Sequence, residues 1–393
     1  MSRRGGPPDG RLVEDVRTGL SAAAPGRAEL AAAVAASRVL GTSGVLRAAD
    51  AVRAQIAGAG PLQVLLDAPG TTDVLVNGPG SVWVDRGEGA ERVDLDVGPE
   101  EELRALAVRL AAAAGRRLDD ACPWVDARLP DGVRLHAVLP PVSAGGTLLS
   151  LRVPRRRAMA LDELVRGGTL PPAWAPLLTD LVGRRLSFVV TGGTGSGKTT
   201  VLSTLLGLAD RLERLLLVED SGELAPTHPH VVRLQARPGN VEGAGAVDLR
   251  DLVRQALRMR PDRIVVGEVR GAEVRDLLTA LNTGHEGGCG TLHANTAGDV
   301  PARLEALGAL AGLDRAAVAA QASSALDAVV HLRRSGPLRR VVELAVVTRG
   351  ADGHLAVLPA LVADPGDPAA PGDRGPGWPR LAALLGHGAD RPC

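Results

Sequence analysis

The chain has no tyrosine, one phenylalanine and four tryptophans. Its cores must therefore be built from Leu, Val and Ala rather than aromatic rings. Three cysteines, Cys122, Cys289 and Cys393, are too few and too scattered for a disulfide framework or a metal site, and fit a reducing compartment. Formal net charge is zero, which argues against a bulk nucleic-acid binder. The N-terminal stretch carries basic residues but no apolar signal-peptide segment. No uninterrupted apolar run nears the roughly 18 residues a membrane-spanning helix needs. Lysine is the sharpest scarcity. There is one, Lys198, and the other 44 of the 45 Lys and Arg residues are arginine.

What is present is an ordinary globular composition, 45% hydrophobic and 23% charged, over 393 residues, enough for two domains or more. The single lysine lies in the most informative stretch, Leu186 to Thr200. An apolar run, Phe188-Val189-Val190, reads as a buried strand. It turns through Gly192, Gly193, Thr194, Gly195, Ser196 and Gly197 and reaches Lys198, Thr199 and Thr200 at the start of a helical run. This is the P-loop pattern in its strand–loop–helix context. Glycines let the loop close with its N–H groups turned inward, and the helix N-terminus adds to that anion site. Lys198 would reach the β- and γ-phosphates of ATP, and the Thr199 hydroxyl would ligate Mg2+. A chain that uses arginine for every other cation keeps one compact ammonium where a planar guanidinium would not fit.

Along the chain, 1–59 reads as a flexible tail with two short Ala-rich helices over 27–57, broken near Gly41-Thr42-Ser43-Gly44. Residues 60–153 read as a small α/β domain. It has strands at Asp73 to Gly78 and Ser81 to Asp85, an amphipathic helix from Glu100 to Ala114, a turn at Pro130-Asp131-Gly132 with a strand after it, and a last strand from Thr147 to Val153. Arg128, Arg134 and Arg152 lie near strand ends; alone they read as solvated charge. Residues 154–185 read as a connector with a basic run, Arg155-Arg156-Arg157, and two helical stretches. Residues 186–360 alternate strands and helices, the habit of a parallel sheet. A second strand ends in Glu219-Asp220-Ser221-Gly222-Glu223, and the next, Arg263 to Gly267, ends in Glu268. An acid closing an apolar strand about 70 residues after a P-loop is Walker B-like. His285 and His293 fall in one loop–strand unit, which the spacing puts at the ligand edge of the sheet. Residues 361–393 read as a Pro/Gly-rich, flexible tail with one short apolar piece, Leu381 to Leu385.

The motifs TGGTGSGKTT, VEDSGEL, LRMRPDRIVVGEVRGAE, LNTGHEGGCGTLHANT and DARLPDGVRLHAVLPP together resemble the type II/type IV secretion ATPase superfamily, and within it the TadA/CpaF pilus-assembly group. The resemblance runs from about Gly60 to about Val347. It implies an α/β fold, with a RecA-like P-loop domain carrying a parallel-rich sheet behind a small α/β N-terminal domain. It implies a cytoplasmic homo-hexamer, peripheral at the inner face of the cell membrane. Such a motor is held there by inner-membrane secretion or pilus platform proteins and couples ATP hydrolysis to pilus assembly or secretion. By the same resemblance Glu219 to Glu223 is an Asp box, with Glu219 and Glu223 as candidate catalytic acids. Glu268 is the Walker B acid and His293 belongs to a His box. Arg128, Arg134 and Arg152 match N-terminal-domain arginines that reach nucleotide phosphates, which replaces the surface-charge reading. Gly288-Cys289-Gly290 departs from relatives that more often carry serine, leucine and a threonine or serine.

The mechanism expected is Mg-dependent ATP hydrolysis in which Glu219 or Glu268 orients or activates the water, with Glu268 favoured for that role and Glu219 for Mg2+ and its hydration shell. A GTPase is excluded, because its guanine-reading Asn-Lys-x-Asp needs a second lysine. An ABC-type ATPase is excluded by the absence of its Leu-Ser-Gly-Gly-Gln-like signature. Two alternatives stay open: a motor for conjugative DNA transfer, with direct DNA contact undecided, and an assembly scaffold that binds ATP with little turnover.

Overall fold

The computed structural model describes residue 34 and residues 58–154, 158–237, 239, 245–336, 338–367 and 369–387. The helices expected over 27–57, the run Arg155-Arg156-Arg157 and most of the loop 238–244 lie outside the described residues. The chain divides into two compact units after Pro154.

The first unit is a six-stranded antiparallel sheet in the order β3-β2-β1-β6-β5-β4. Its strands are β1 (Asp73–Asn77), β2 (Val82–Asp85), β3 (Ala90–Val93), β4 (Trp124–Arg128), β5 (Arg134–Val138) and β6 (Leu148–Arg152). Strict alternation decides the faces. Val74, Val76, Val82, Val84, Leu135, Ala137, Leu149 and Leu151 are buried, and the residues between them face outward. Helix α1 (Gln63–Leu66) and helix α2 (Glu100–Ala113) cover the apolar face, α2 through Leu103, Leu106, Ala107, Leu110 and Ala111. The expected helix and strands form within a residue or two. β3 was not foreseen, since Ala-Glu-Arg-Val is short, polar and almost wholly exposed.

The second unit is a nine-stranded mixed sheet in the order β15-β14-β13-β12-β7-β11-β10-β8-β9. Its members are β7 (Phe188–Gly192), β8 (Leu215–Glu219), β9 (Val231–Gln235), β10 (Arg263–Val269), β11 (Cys289–Leu292), β12 (Ala328–Ser335), β13 (Leu338–Arg349), β14 (Leu355–Val362) and β15 (Asp373–Arg374). From β12 through β9 neighbours run parallel, and from β12 to β15 they run antiparallel. β7 and β8 are buried at every position, so they read as continuous apolar runs without alternation. Successive residues nevertheless serve opposite faces. Phe188 and Val190 pack with α3 (Leu161–Arg166), α4 (Trp174–Gly183), α5 (Lys198–Leu206) and α10 (Trp378–Leu384). Val189 packs on the other side with α6 (Leu249–Ala256), α7 (Glu273–Leu281), α8 (Val300–Leu310) and α9 (Arg315–Ala325).

Two expectations are corrected here. The 154–185 stretch is not a free connector where it is described. Leu164, Leu170, Trp174, Leu177, Leu178, Leu181 and Val182 belong to the core of the second unit. Nor is the 361–393 stretch a loose tail throughout. Trp378, Leu381, Ala382 and Leu385 are buried in the same core. The Trp174 indole N–H donates to the Pro371 carbonyl at 2.7 Å, and His387 Nε2 sits 2.8 Å from Asp180 Oδ2. The physical reason is the aromatic shortage. Two of the four tryptophans stand here, and burying a large ring with its N–H satisfied orders the Pro/Gly-rich chain around it. β9 was also missed, because its five residues are only partly buried at an edge.

Candidate functional site

β7 lies between β11 and β12; its own connection runs to β8 on the β11 side, while the chain leaving β11 crosses over to β12 on the other. In a parallel sheet that is where ligands bind, outside the carboxyl ends of the strands. Leaving β7, the backbone closes at Gly192, with φ 151°. A Cβ there would stand 2.5 Å from the Leu332 carbonyl oxygen and 2.6 Å from Ser196 Oγ, so no other residue fits. Gly195 (φ 68°) and Gly197 (φ 95°) take left-handed backbone, and Gly197 is the N-cap of α5. Lys198 opens that helix and curls back, its Nζ donating to the carbonyls of Gly192 and Gly193 at 2.9 Å each. Thr199 and Thr200, next in the helix, are half-buried, and Thr194 is exposed at the mouth of the loop. Burial lowers the Lys198 ammonium, while Glu268 and Glu223 act in the opposite direction. Two acids named from the sequence thus bear electrostatically on the one lysine.

The third acid behaves differently. Glu219 ends β8 and is only 4% exposed. Its Oε1 accepts the N–H groups of Glu223 and Leu224 at 2.8 and 2.9 Å. The carboxylate therefore wraps the turn that follows it and presents Glu223. Arg270 Nη2, beyond the end of β10, reaches Asp220 Oδ2 at 2.5 Å and ties that turn to the Glu268 strand. Glu273 shapes the next turn in the same way, accepting from the N–H groups of Arg270 and Gly271.

Burial pushes the Glu219 carboxyl up from 4.5 to about 7, against the two N–H bonds that favour its charged form. Between those values the folded chain holds a proton that the unfolded chain has released. Stability must therefore fall as pH rises through this window and level off above it. Glu219→Gln keeps an oxygen for both N–H groups but cannot ionise. At pH 8 it is expected to be more stable than wild type by on the order of 2 kcal/mol, with the difference vanishing near pH 4.5. Urea denaturation of both chains across that range measures it, and a difference independent of pH would show that the carboxyl is not its source.

The two histidines separate. β11 pairs with β7 from Cys289↔Phe188 to Leu292↔Thr191, so His293 follows the strand at the level of the phosphate loop. His285 precedes the strand and lies at the opposite edge, 3.2 Å from the Ala280 carbonyl through Nδ1. The expectation of two histidines at one edge is corrected: a strand separates them. Another histidine takes part instead. His331 on β12 is 1% exposed, pairs with Thr191 in register, and its Nδ1 lies 2.9 Å from Thr191 Oγ1 directly before the loop. Its sequence surroundings, an apolar run, signalled only a strand. The departure at Gly288-Cys289-Gly290 also has a structural cause. A Cβ on Gly288 would meet a Leu281 methyl at 2.3 Å, and one on Gly290 the Val266 carbonyl at 2.8 Å. Here the glycines are close-packing positions.

In the first unit, Arg128 pairs with Arg134 and Arg134 with Arg152, so the three arginines form one row across β4, β5 and β6. Residues directly opposite share a face. Arg134 Nη2 also reaches Asp126 Oδ2 at 3.1 Å.

A model of the family described as "Type II/IV secretion system protein" matches residues 55–341. The chain belongs to that family. As a type II/IV secretion ATPase it is 55% identical to a putative conjugal transfer protein of Mycobacterium tuberculosis over 335 residues, covering 84% of this chain and 95% of that protein. It is 32% identical to a probable conjugal transfer protein, TrbB, of Sinorhizobium fredii over 305 residues, 75% of this chain and 89% of the other. The fold matches that of the ATPase DotB of Legionella pneumophila, with a TM-score of 0.51 at 18% identity over 82% of this chain and 85% of that one. The secretion ATPase fold is thus present in both its parts, a P-loop sheet of RecA-like type and an N-terminal sheet domain.

Proposed function

We propose that this secretion ATPase hydrolyses ATP with bound Mg2+, with Glu268 and Glu223 as the acids at the phosphates. The observation that carries this is the sole lysine, seated inside the glycine loop and acted on by those two carboxylates. Thr199 and the two carboxylates would supply oxygen donors, the kind a hard, small cation takes. Ser196 Oγ, buried in the loop with no hydrogen-bond partner among the described residues, is a polar atom that a bound ligand would satisfy. Mg2+ held there would neutralise phosphate charge. Glu219 holds the Glu223 turn through Oε1, which leaves its other carboxylate oxygen for Mg2+ and its hydration shell. Glu268 orients the attacking water, His293 stands at the same edge, and Arg128, Arg134 and Arg152 add positive charge at the transition state.

We infer further that the chain works as a homo-hexamer at the cytoplasmic face of the inner membrane, held by platform proteins of a secretion or pilus system. Among the described residues no helix is long and apolar enough to cross a membrane. The names of the relatives favour conjugative transfer as the process served, with Tad-type pilus assembly as the second reading. Neighbouring genes of relaxase or pilin type distinguish the two.

Glu268→Gln tests the mechanism. The variant is expected to bind Mg-ATP with an affinity near that of wild type and to hydrolyse it about 10²-fold or more slowly. Single-turnover assays with radiolabelled ATP measure both. Loss of binding would make the acid structural, and wild-type turnover in the variant would remove it from the chemistry. A wild-type chain that binds ATP without turnover would be the assembly scaffold.

A further inference from the structure

β12 continues past the end of β7. Leu332 stands opposite Gly192, and Arg333, Arg334 and Ser335 carry the strand on beside the phosphate loop. There they pair with β13, Arg333 opposite Arg340 and Arg334 opposite Arg339. Like charges placed directly opposite destabilise a sheet, and two such pairs follow one another here. Arg333 acts electrostatically on Glu343, favouring its charged form against the burial that raises it. The inner pair is turned to the loop. Arg339 Nε donates to the Gly195 carbonyl at 2.9 Å. Arg334 Nη1 lies 3.2 Å from the point a Cβ on Gly195 would occupy, and Arg334 Nε donates to the Gly336 carbonyl at 3.0 Å. Arg334 is exposed and, among the described residues, pairs with no carboxylate.

The Gly195–Ser196 peptide is the point of contact. In a trans peptide the carbonyl and the following N–H point opposite ways. With the Gly195 carbonyl held by Arg339, the Ser196 N–H points the other way, into the loop, where it makes only a long contact, 3.4 Å, to the Gly193 carbonyl. An N–H so weakly engaged is ready for an anion.

We propose that the β12–β13 hairpin is a further wall of the nucleotide site. Arg334 binds the phosphates of the ATP held by the same chain, and Arg339 is a positioning residue that keeps the Gly195–Ser196 peptide aimed at them. A bound polyanion also removes the repulsion of the opposed arginines, so hairpin and nucleotide stabilise each other. The proposal rests on the reading of the chain as an ATPase.

The test uses the full chain, with a fluorescent ATP analogue for Kd and steady-state hydrolysis for KM and kcat. The variants are Arg334→Gln, Arg334→Lys, Arg339→Gln and Arg339→Lys, with Arg349→Ala from the far end of β13 as control. Loss of one charge-assisted phosphate contact raises Kd and KM about ten-fold in Arg334→Gln, with kcat within about three-fold of wild type. Arg334→Lys recovers most of the affinity. Arg339→Gln weakens binding and lowers kcat together, and Arg339→Lys restores both because an ammonium donates to the same carbonyl. If Arg339→Gln fails to fold, Arg334→Gln decides, since removing an exposed side chain opens no core. Arg334→Gln with Kd within two-fold of a wild type that binds and turns over ATP overturns the proposal and leaves the ATPase reading intact. A wild type that neither binds nor hydrolyses ATP overturns both.

Discussion

Replacing Lys198 by alanine, and equally by arginine, is expected to abolish ATP turnover while leaving the fold in place. Its ammonium is held by two carbonyls of the loop at 2.9 Å each and is half-buried, with room for a compact donor. A guanidinium is planar and larger, and its fork cannot take both carbonyls at the distance the loop allows. The ammonium balances charge that develops on the transferred phosphoryl group, so its removal should cost about 10²- to 10³-fold in kcat. No core residue depends on it, and circular dichroism should show both variants folded. Measuring kcat at saturating ATP settles the point. An arginine variant with near-normal turnover would refute the argument from ammonium size and make the scarcity of lysine an accident of composition.

The second large effect is expected from Arg128, Arg134 and Arg152. Each separately truncated to alanine, one or more of the three should lose up to about 10³-fold in kcat, the loss seen when an arginine serving transition-state charge is removed. Register is the observation from which this expectation is argued. β4, β5 and β6 set the three side by side on one rung of the sheet, a concentration of positive charge suited to an anionic ligand. Arg86 and Arg117 are the controls. They lie in the same unit and are engaged in ion pairs of their own, with Glu91 and Asp119. Their truncation should leave kcat within a few-fold, because exposed ion pairs contribute little. If all five variants stay within a few-fold of wild type, the row has no part in the reaction.

What the sequence determined by itself was everything that rests on local pattern. The strand–loop–helix from Phe188 to Leu206 is legible because glycine spacing and an apolar run leave the backbone one way to fold. The same holds for α2, α7 and α9, whose apolar spacing and ends fall where the structure has them. Glu268 and Glu223 were named from motifs, and the structure puts the influence of both on Lys198. Only the tertiary structure could decide what depends on which strands become neighbours. That β12 lies beside β7 is not written in either strand, yet it brings His331 to Thr191 and Arg339 to Gly195 across 140 and 144 residues of chain. The row of three arginines likewise exists only through the register of β4, β5 and β6. The same limit explains the misread tail: Trp378 looks stranded among proline and glycine until the sheet supplies the surface that buries it. A residue's own neighbours in sequence determine its backbone, but charge repulsion, burial and a hydrogen bond to a distant carbonyl are properties of pairs, and the pairs are formed by packing.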